Sequence, residues 1–449
     1  MKKEKKIALL ITIPVTVALI AGAVVFTSVS TGLIDTTDTI TQVKRNYSIQ
    51  DQKAIHKQSY QSLNEVTYQS LLNQKLTVSD VFLSHYQKFA FENYERVQGL
   101  EKNVSYSPLG LYLNLHTLSL GTNDLYQNAF EEYLCSSFEE REENYLPLLT
   151  NNFSSKETGS TQVYQGMFLT SDYDLTVRDD YLKKLTDHYV EAFSLSFHND
   201  SDVERMLSWV NGKVNEKDFM TKEMLPEMDE NEFISFVLYT TFFFQQNWGT
   251  RFLEEANEKK NFYAVDGSTT TKTFMNHTIY SKYYDYGDYC SVYDYYQNGY
   301  SIQYVTSLQK EQSIFDLVKG KNFLIEEEER RKNAPMHLSL PKFTSECLID
   351  FTKIFEKSSL SPILVSDNNP FSEIYEPNDY FFSLFSTIQK NKVSFSEDGT
   401  IIKSVTQSVG KGEATSMPVE VIDVNLDHPF IYVIYDAQHL PVYIGQYAE

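Results

Sequence analysis

Residues 393–430, near the C-terminal end, contain two segments whose sequence favours β-strands, and a segment with the composition of a loop lies between them. Residues 393–396 alternate apolar and polar side chains like a half-buried strand, and the alternation resumes after Gly399. Six of the ten residues in 400–409 are β-branched, which favours extended backbone. Two glycines and a closing proline then mark residues 410–418 as a flexible, exposed segment. The pattern predicts a strand-competent hinge that carries an exposed loop at its tip.

A short apolar strand follows this loop and supplies a second motif. Residues 427–435 read Asp-His-Pro-Phe-Ile-Tyr-Val-Ile-Tyr, and residues 397–400, before the loop, read Glu-Asp-Gly-Thr. This pair resembles the C-terminal end of the serpins, in which a hinge of the form Glu-x-Gly-Thr is coupled to a hydrophobic strand opened by His-Pro-Phe. The resemblance implies that residues 400–416 form the hinge and the reactive-centre loop of a protease inhibitor.

Further motifs of that family occur in the expected order along the chain. Residues 103–110 read Asn-Val-Ser-Tyr-Ser-Pro-Leu-Gly, Trp248 follows a long apolar run, and residues 340–343 read Leu-Pro-Lys-Phe. The resemblance extends over residues 78–449, without internal repeats. It implies one α+β domain with the serpin fold, which consists of three β-sheets, eight to nine helices and an exposed reactive-centre loop.

The part of the chain before this domain divides by composition into three segments. Residues 1–6 form a basic cap, and residues 7–27 are a run of 21 uncharged, mostly apolar residues. At ~1.5 Å per residue a helix of this length spans a hydrocarbon core, and the lysines would keep the cap cytoplasmic. A cleaved signal peptide is the alternative, because residues 21–23, Ala-Gly-Ala, offer a small-residue cleavage pattern. Residues 28–77 indicate a polar stalk, and both alternatives place residues 78–449 outside the cytoplasm, secreted or tethered to the outer face of the membrane.

Charge, cysteine content and motif content exclude several functional classes. The formal net charge of −22 argues against a nucleic-acid partner, because phosphate binding needs clustered Lys and Arg. Cys135, Cys290 and Cys347 are too few and too widely spaced for a disulfide framework or a Cys-x-x-Cys metal site. No HExxH, GxSxG or GxGxxG motif occurs. We therefore predict a monomeric protein that is not an enzyme and has no catalytic residues, metal or cofactor.

Tyrosines are concentrated between residues 280 and 296, and this density admits two interpretations. The side chains could form a binding surface of amphipathic anchors. They could instead alternate along a strand, which is the interpretation that we favour.

The resemblance implies a mechanism in which a target serine or cysteine protease cleaves the loop and the hinge then inserts into the main sheet as a new strand. The hinge residues that it assigns are Glu397, Gly399, Thr400, Ile402, Ser404 and Thr406. The face that would turn inward carries small hydroxyl side chains except at Ile402, where inhibitory serpins usually have alanine. Overpacking a filled site costs typically about 1–3 kcal/mol, so we expect Ile402 to slow insertion without forbidding it.

The same resemblance assigns two other regions of the main sheet. Trp248 matches the family's tryptophan at the top of the sheet, where the loop first inserts. The seam along which the sheet opens, which serpins typically hold with Ser, Asn and His side chains, falls at Ser107, Gly110, Thr240 and Gln389. Because Gly110 removes a hydroxyl, we expect the opening of the sheet to depend on a different hydrogen-bond network.

The scissile bond falls in a window of four residues, Glu413, Ala414, Thr415 and Ser416. Counting forward from Gly399 at the usual family length ends the acyl-forming side at Glu413, whereas counting back from Pro418 ends it at Thr415. Lys411 is a further candidate for a trypsin-like target. Two functions stay open: an exported suicide-substrate inhibitor of serine or cysteine endopeptidases, and a non-inhibitory serpin that serves as a binding or carrier module.

Overall fold

A computed structural model of the chain describes the backbone of residues 16–19 and 22–25, and residues 60–72, 74, 76–229, 232–365, 367, 369–400 and 421–449. Eight α-helices lie in this described part: α1 (Asp80–Val97), α2 (Pro108–Ser119), α3 (Gln127–Leu134), α4 (Phe138–Asn151), α5 (Asp179–Asp187), α6 (Asp200–Lys213), α7 (Ile314–Leu317) and α8 (Thr352–Phe355). The predicted α+β class is confirmed.

The same residues contain nineteen strands, numbered here in chain order. They are β1 (Thr16–Leu19), β2 (Gly22–Val25), β3 (Gln61–Ser62), β4 (Ser105–Tyr106), β5 (Ser154–Lys156), β6 (Gly159–Thr170), β7 (Val190–Leu195), β8 (Phe236–Asn247), β9 (Glu258–Tyr263), β10 (Thr269–Asp285), β11 (Tyr289–Tyr295), β12 (Ser301–Ser307), β13 (Arg331–Pro341), β14 (Phe343–Asp350), β15 (Ile388–Ser396), β16 (Gly399–Thr400), β17 (Ile422–Asn425), β18 (Phe430–Tyr435) and β19 (Pro441–Tyr447). Apart from the β1–β2 pair, they form two large sheets.

The main sheet has eight strands in the spatial order β14, β15, β16, β8, β6, β7 and β3, with β5 paired to β6. Its longest antiparallel ladder joins β6 to β8, from Gly159 opposite Gln246 to Leu169 opposite Phe236. Helix α5 connects β6 to the parallel strand β7, as parallel pairing requires a crossover. The spatial order departs from the chain order at β16, which lies between β15 and β8. This is the point at which the C-terminal hinge motif meets the sheet.

The second large sheet has nine strands in the order β17, β13, β10, β11, β12, β18, β19 and β4, with β9 paired to β10. Strand β10 is 17 residues long and pairs with β9, β13 and β11 along different parts of its length. Because this one strand continues through all three pairings, the two smaller sheets that the resemblance implies are hydrogen-bonded here as one. Strands β18 and β19, which follow the His-Pro-Phe motif, are buried throughout.

Helix α2 lies between the two large sheets and contacts β8 of the main sheet and β19 of the second. The Ser107 hydroxyl caps it by accepting a hydrogen bond from the Gly110 backbone N–H at 3.0 Å, and Pro108 occupies the first turn, where no N–H is needed. Eleven of its twelve residues are buried, as expected for a helix that is apolar on nearly all sides. The exception, Asn114, faces the main sheet.

The division of residues 1–77 into a cap, an anchor or signal peptide, and a stalk stays a prediction, and the structure adds two observations. Within the apolar run 7–27 the structure describes two short antiparallel strands, β1 and β2, whose valines and threonine favour extended backbone over the helix that we expected as one alternative. No helix in the described part of the chain is long and apolar enough to cross a membrane. Within the predicted stalk, β3 pairs with the edge strand β7, and the Tyr60 ring stacks on Phe193 at a centroid distance of 5.1 Å. Contacts with the domain therefore begin at residue 60, ahead of residue 78.

Candidate functional site

The hinge motif, residues 397–400, lies where the chain leaves β15 and turns back into the main sheet. Strand β16 runs antiparallel to β15, with Thr400 opposite Phe395. On its other side β16 pairs with β8, where Thr400 lies opposite Gln246. The start of the hinge is thus already a strand of the main sheet, held from both sides.

Gly399 brings the hinge backbone closer to β8 than a larger residue permits. A Cβ atom at this position would lie 2.1 Å from the Gln246 carbonyl oxygen and 2.8 Å from Asn247 Cα. Both are backbone atoms, which cannot move aside without disturbing the ladder. The glycine of the motif is therefore required by close approach of two strands.

The Glu397 carboxylate fixes the turn before β16. Its side chain is nearly buried and accepts hydrogen bonds from Lys342 Nζ at 2.7 and 3.0 Å and from Asn257 Nδ2 at 2.7 Å. Burial alone would raise the pKa of Glu397, but these hydrogen bonds and the Lys342 charge outweigh burial and lower the pKa below its ordinary value. Glu397 is therefore a charged and fully paired group at neutral pH.

Replacing Glu397 with glutamine should make the free energy of unfolding less dependent on pH in acid. A carboxyl group with a lowered folded pKa stabilises the fold above its unfolded pKa of about 4.5, and this contribution is lost as the pH falls through the folded pKa. At neutral pH we expect Glu397→Gln to be less stable than wild type by about 1–3 kcal/mol, the usual contribution of hydrogen bonds to a charged group.

Denaturant unfolding of both proteins at neutral pH and in steps from about pH 5 to about pH 3 measures this difference, which should shrink as the pH falls. Glu329→Gln is the matched control, because the Glu329 side chain is exposed. A difference that stays constant down to the lowest pH would contradict the assignment.

Trp248 is completely buried against the hinge. Its indole Nε1–H donates to the Ser396 carbonyl at 2.8 Å, and its backbone N–H donates to the Asp398 carbonyl at 3.2 Å. The Tyr296 ring stacks on the indole at a centroid distance of 4.7 Å, and the Tyr296 hydroxyl lies 2.7 Å from Thr400 Oγ1. Trp248 thus holds both ends of the turn, and Tyr296 holds the strand that follows. The sequence placed Tyr296 only in a tyrosine-rich strand.

In the part of the chain that the structure describes, the main sheet beyond Thr400 has a gap between β8 and β15, which we call the slot. Among the described residues β8 pairs with β6 and β15 pairs with β14, and the two strands are joined to each other only through β16. A cavity of about 570 Å³ lies here, lined by residues of both strands. Phe381 and Phe385, at one end of it, are 65% and 53% exposed. The slot is therefore a cavity between two strands, lined by apolar and polar side chains, that could receive another segment of chain.

Gln389 holds the β15 side of the slot to the start of helix α2. The Ser107 N–H donates to Gln389 Oε1 at 2.9 Å, and Gln389 Nε2 donates to the Ser107 carbonyl at 3.1 Å. The Ser107 hydroxyl donates to the Val442 carbonyl at 2.9 Å. At Gly110 a Cβ atom would lie 3.5 Å from Gln389 Nε2, so the glycine borders this pair. The structure thus brings together three of the four predicted seam residues.

The fourth predicted seam residue, Thr240, lies on the β8 side of the slot and has other partners. Its hydroxyl accepts hydrogen bonds from Asn114 Nδ2 at 3.2 Å and from Gln165 Nε2 at 3.1 Å. In the described part of the sheet no hydrogen bond joins Thr240 to Gln389. The sequence-based prediction missed Asn114 and Gln165, although the one amide side chain in the mostly apolar α2 could have indicated Asn114. The two sides of the slot are therefore fixed separately: Gln389 on the β15 side bonds Ser107 at the N-cap of α2, and Thr240 on the β8 side bonds α2 and β6.

The remaining hinge and loop predictions fall outside the described residues: Ile402, Ser404, Thr406, Glu413, Ala414, Thr415 and Ser416. The described chain resumes at Val421, and β17 then pairs in parallel with β13. His428 of the His-Pro-Phe motif is buried, with Nδ1 2.9 Å from Asp427 Oδ1 and Nε2 3.0 Å from the Ser307 carbonyl. His428 therefore fixes the start of β18 and belongs to the scaffold.

The three cysteines are unpaired thiols. Cys290 and Cys347 are buried, and burial raises the pKa of Cys290 to about 12 and also raises the pKa of Cys347. A thiol with a raised pKa is a poor nucleophile at neutral pH, because the thiolate is the reactive form. The cysteines therefore offer no nucleophile to this site.

Comparison with known proteins gives a consistent result. A family described as "Serpin (serine protease inhibitor)" matches residues 84–449. The mouse plasma serine protease inhibitor is 23% identical over 374 residues, which cover 80% of this chain and 88% of that protein. Human neuroserpin is 21% identical over 356 residues, which cover 76% of this chain and 84% of that protein.

Two solved structures illustrate the likeness in fold. The native state of the thermophilic serpin tengpin aligns with a TM-score of 0.74 at 21% identity, covering 87% of this chain and all of that one. A complex of thyroxine-binding globulin with thyroxine aligns with a TM-score of 0.65 at 19% identity, covering 82% of this chain and 99% of that one. Proteins with this architecture thus include some that are named as protease inhibitors and some that are named for the ligand that they bind.

Proposed function

The chain belongs to the serpin family, and from this premise we propose that it inhibits serine or cysteine endopeptidases as a suicide substrate. A protease would cleave the loop within residues 413–416, and the hinge would enter the slot before the acyl-enzyme is hydrolysed. The observation that supports this most directly is the position of β16. Its residues Gly399 and Thr400 are paired between β15 and β8 at the head of the slot, so insertion would extend an existing strand.

Insertion needs a driving force beyond backbone hydrogen bonds. Each strand hydrogen bond contributes on the order of 1 kcal/mol net, whereas ordering the backbone costs roughly 1–2 kcal/mol per residue. The slot offers apolar surface in addition, including Leu111, Phe236 and Phe381. Apolar burial contributes roughly 25 cal/mol per Å², which favours a filled slot over an open one.

A single cut in the loop tests this proposal directly. After one nick between residues 411 and 416, we expect the thermal unfolding midpoint of the full chain to rise by roughly tens of degrees. The reason is that a new central strand would join the main sheet. The measurement compares cut and uncut protein under identical conditions. An SDS-stable complex with a serine or cysteine protease would then identify the target class.

The outcome that would contradict inhibition by insertion is an unchanged midpoint in protein that is demonstrably cut. A matched control is a nick in the exposed turn at Gly267, far from the hinge in sequence, which should leave the midpoint unchanged or lower it. This control separates insertion from a general effect of cleavage.

A non-inhibitory binding or carrier role is the second candidate, and the open slot is the observation that favours it. A cavity of about 570 Å³ with apolar lining suits a small ligand as well as a strand. Gly110 and Ile402 also depart from the pattern of inhibitory serpins, and both departures would disfavour rapid insertion. An unchanged midpoint after the nick would make this role the one to pursue.

We further propose that the protein acts outside the cytoplasm as a monomer. Residues 7–27 would direct export, and residues 28–59 would precede the folded part. N-terminal sequencing of the mature protein distinguishes a removed signal from a retained segment. Recovery of the protein solely from the cytoplasm would contradict export.

A further inference from the structure

Two histidines and a glutamate converge behind the main sheet, at a place that the proposed function does not use. His116 on α2 and His188 at the C-terminal end of α5 both direct Nε2 at one carboxylate oxygen of Glu142 on α4, at 3.2 and 2.9 Å. The three ligand atoms lie within 4.8 Å of one another. The buried His116 Nε2 is close to the carboxylate but is not aligned with it as a hydrogen bond. Three separate helices thus contribute one potential ligand each.

We propose that His116, Glu142 and His188 form a binding site for a divalent transition-metal ion, with Zn²⁺ the best match. Two imidazole nitrogens and one carboxylate are a ligand set that zinc accepts in tetrahedral geometry, with water in the fourth position. Ligand atoms around tetrahedral zinc are about 3.3 Å apart at the usual zinc–ligand distances, so a small side-chain adjustment closes the site.

The surroundings of the three side chains support this assignment. His188 Nδ1 lies 2.7 Å from the Lys184 carbonyl, the second contact that a metal-binding histidine usually makes, and this directs Nε2 towards Glu142. The Glu142 side chain is 36% exposed, which gives an ion a path from solvent.

One contact opposes metal binding and has to be given up. Arg141 Nε donates to His116 Nδ1 at 3.3 Å, which places the proton of the neutral ring on Nε2, where the metal would bind. The contact is long for a hydrogen bond, and Arg141 Nη1 keeps a separate bond to the Ser136 carbonyl at 2.8 Å. Metal binding at Nε2 moves the ring proton to Nδ1, so Arg141 Nε loses this contact while Arg141 Nη1 keeps its bond to the Ser136 carbonyl.

The site is connected to the slot through one tyrosine. The Tyr145 ring lies 4.9 Å from the His116 ring and 4.7 Å from the His188 ring. Its hydroxyl donates to Gln165 Oε1 at 2.6 Å, and Gln165 Nε2 donates to Thr240 on the β8 side of the slot. A bound metal would therefore stiffen the β8 side and slow insertion of the hinge, a consequence that rests on the proposed function.

The test is a titration of the full chain with Zn²⁺ by calorimetry and with Co²⁺ by absorption spectroscopy. Cys135→Ser is used as the parent protein, because Cys135 is the one cysteine that is not buried. We expect one saturable equivalent of Zn²⁺ and the visible absorption bands of tetrahedral Co²⁺. His188→Ala and Glu142→Gln should each weaken binding at least about 100-fold.

His198→Ala is the matched control, because it removes a histidine that pairs with a different carboxylate, Asp172, and should bind Zn²⁺ like the parent. Circular dichroism confirms that each variant is folded. Absence of saturable binding in the folded parent, or equal binding by His188→Ala, would overturn the proposal.

The consequence for insertion is measured separately, by the rate at which the midpoint rises after the loop is cut, with and without Zn²⁺. Equal rates would refute the connection to the slot while leaving the metal site in place. A midpoint that never rises, even without Zn²⁺, would refute insertion itself and not the metal site.

Discussion

On the proposed mechanism, Thr400→Arg should abolish the stabilisation that is expected after cleavage and make the protein a substrate of its protease instead of an inhibitor. Thr400 is 2% exposed, is paired with strands on both sides, and its hydroxyl meets the Tyr296 hydroxyl. An arginine at this position would expel the two-residue strand β16 from the sheet of the uncut protein, and insertion after cleavage would then have to bury an unpaired charge, which costs several kcal/mol. The nicked variant is expected to unfold at the same temperature as the uncut variant and to form no SDS-stable protease complex.

Two controls accompany this variant. Thr400→Ser keeps the hydroxyl and should behave like wild type. Asp398→Asn changes the charge two residues away, at a side chain that is 60% exposed, and so controls for a change of charge that is not buried in the sheet. A nicked Thr400→Arg protein whose midpoint still rises by tens of degrees would contradict this prediction, because it would show that insertion does not require burial of the side chain at position 400.

Trp248→Ala should be among the most destabilising single substitutions in the chain. The substitution removes a fully buried indole that stacks on Tyr296 and contacts Phe252 and Phe395, and it leaves the Ser396 carbonyl without its donor. Truncation of a buried tryptophan costs about 3–5 kcal/mol. Denaturant unfolding of the uncut protein measures this loss, and the hinge should also lose its fixed position.

The second tryptophan provides the comparison. Trp209 lies on α6, where its ring packs on Phe168 and its Nε1–H donates to Glu191, away from the hinge. Trp209→Phe leaves Trp248 as the single indole, because the chain has two tryptophans, so its fluorescence then reports on the hinge alone. A Trp248→Ala variant that is no less stable than Trp209→Ala would contradict the role assigned to Trp248.

Much of the hinge could be predicted because a motif of consecutive residues specifies its conformation. The Glu-x-Gly-Thr motif specifies a charged anchor, a close approach and a small inward side chain, and the structure shows these at Glu397, Gly399 and Thr400. The identity of Glu397's partners, Lys342 and Asn257, could not be read from the sequence, because they lie 55 and 140 residues away.

The seam was harder to predict for a physical reason. Its hydrogen bonds depend on which side of the slot each residue occupies, and no local pattern encodes that. The resemblance to serpins assigned Gln389 and Thr240 to one seam. In the structure Gln389 forms hydrogen bonds with Ser107, whereas Thr240 accepts hydrogen bonds from Asn114 and Gln165. The packing of Tyr60 was missed for the same reason, since a polar segment with a few aromatic residues resembles a linker until its partners are known.

If the hinge inserts as proposed, the separate attachment of the two sides of the slot would determine how long the uncut molecule keeps the slot open. A strand that enters the slot breaks no ladder between β8 and β15, so the barrier to entry comes from a few local bonds, chief among them the pair between Ser107 and Gln389. The lifetime of the uncut state is then a matter of rate and not of equilibrium. On the proposed mechanism, uncut protein would therefore lose its open slot slowly during storage, and faster on warming.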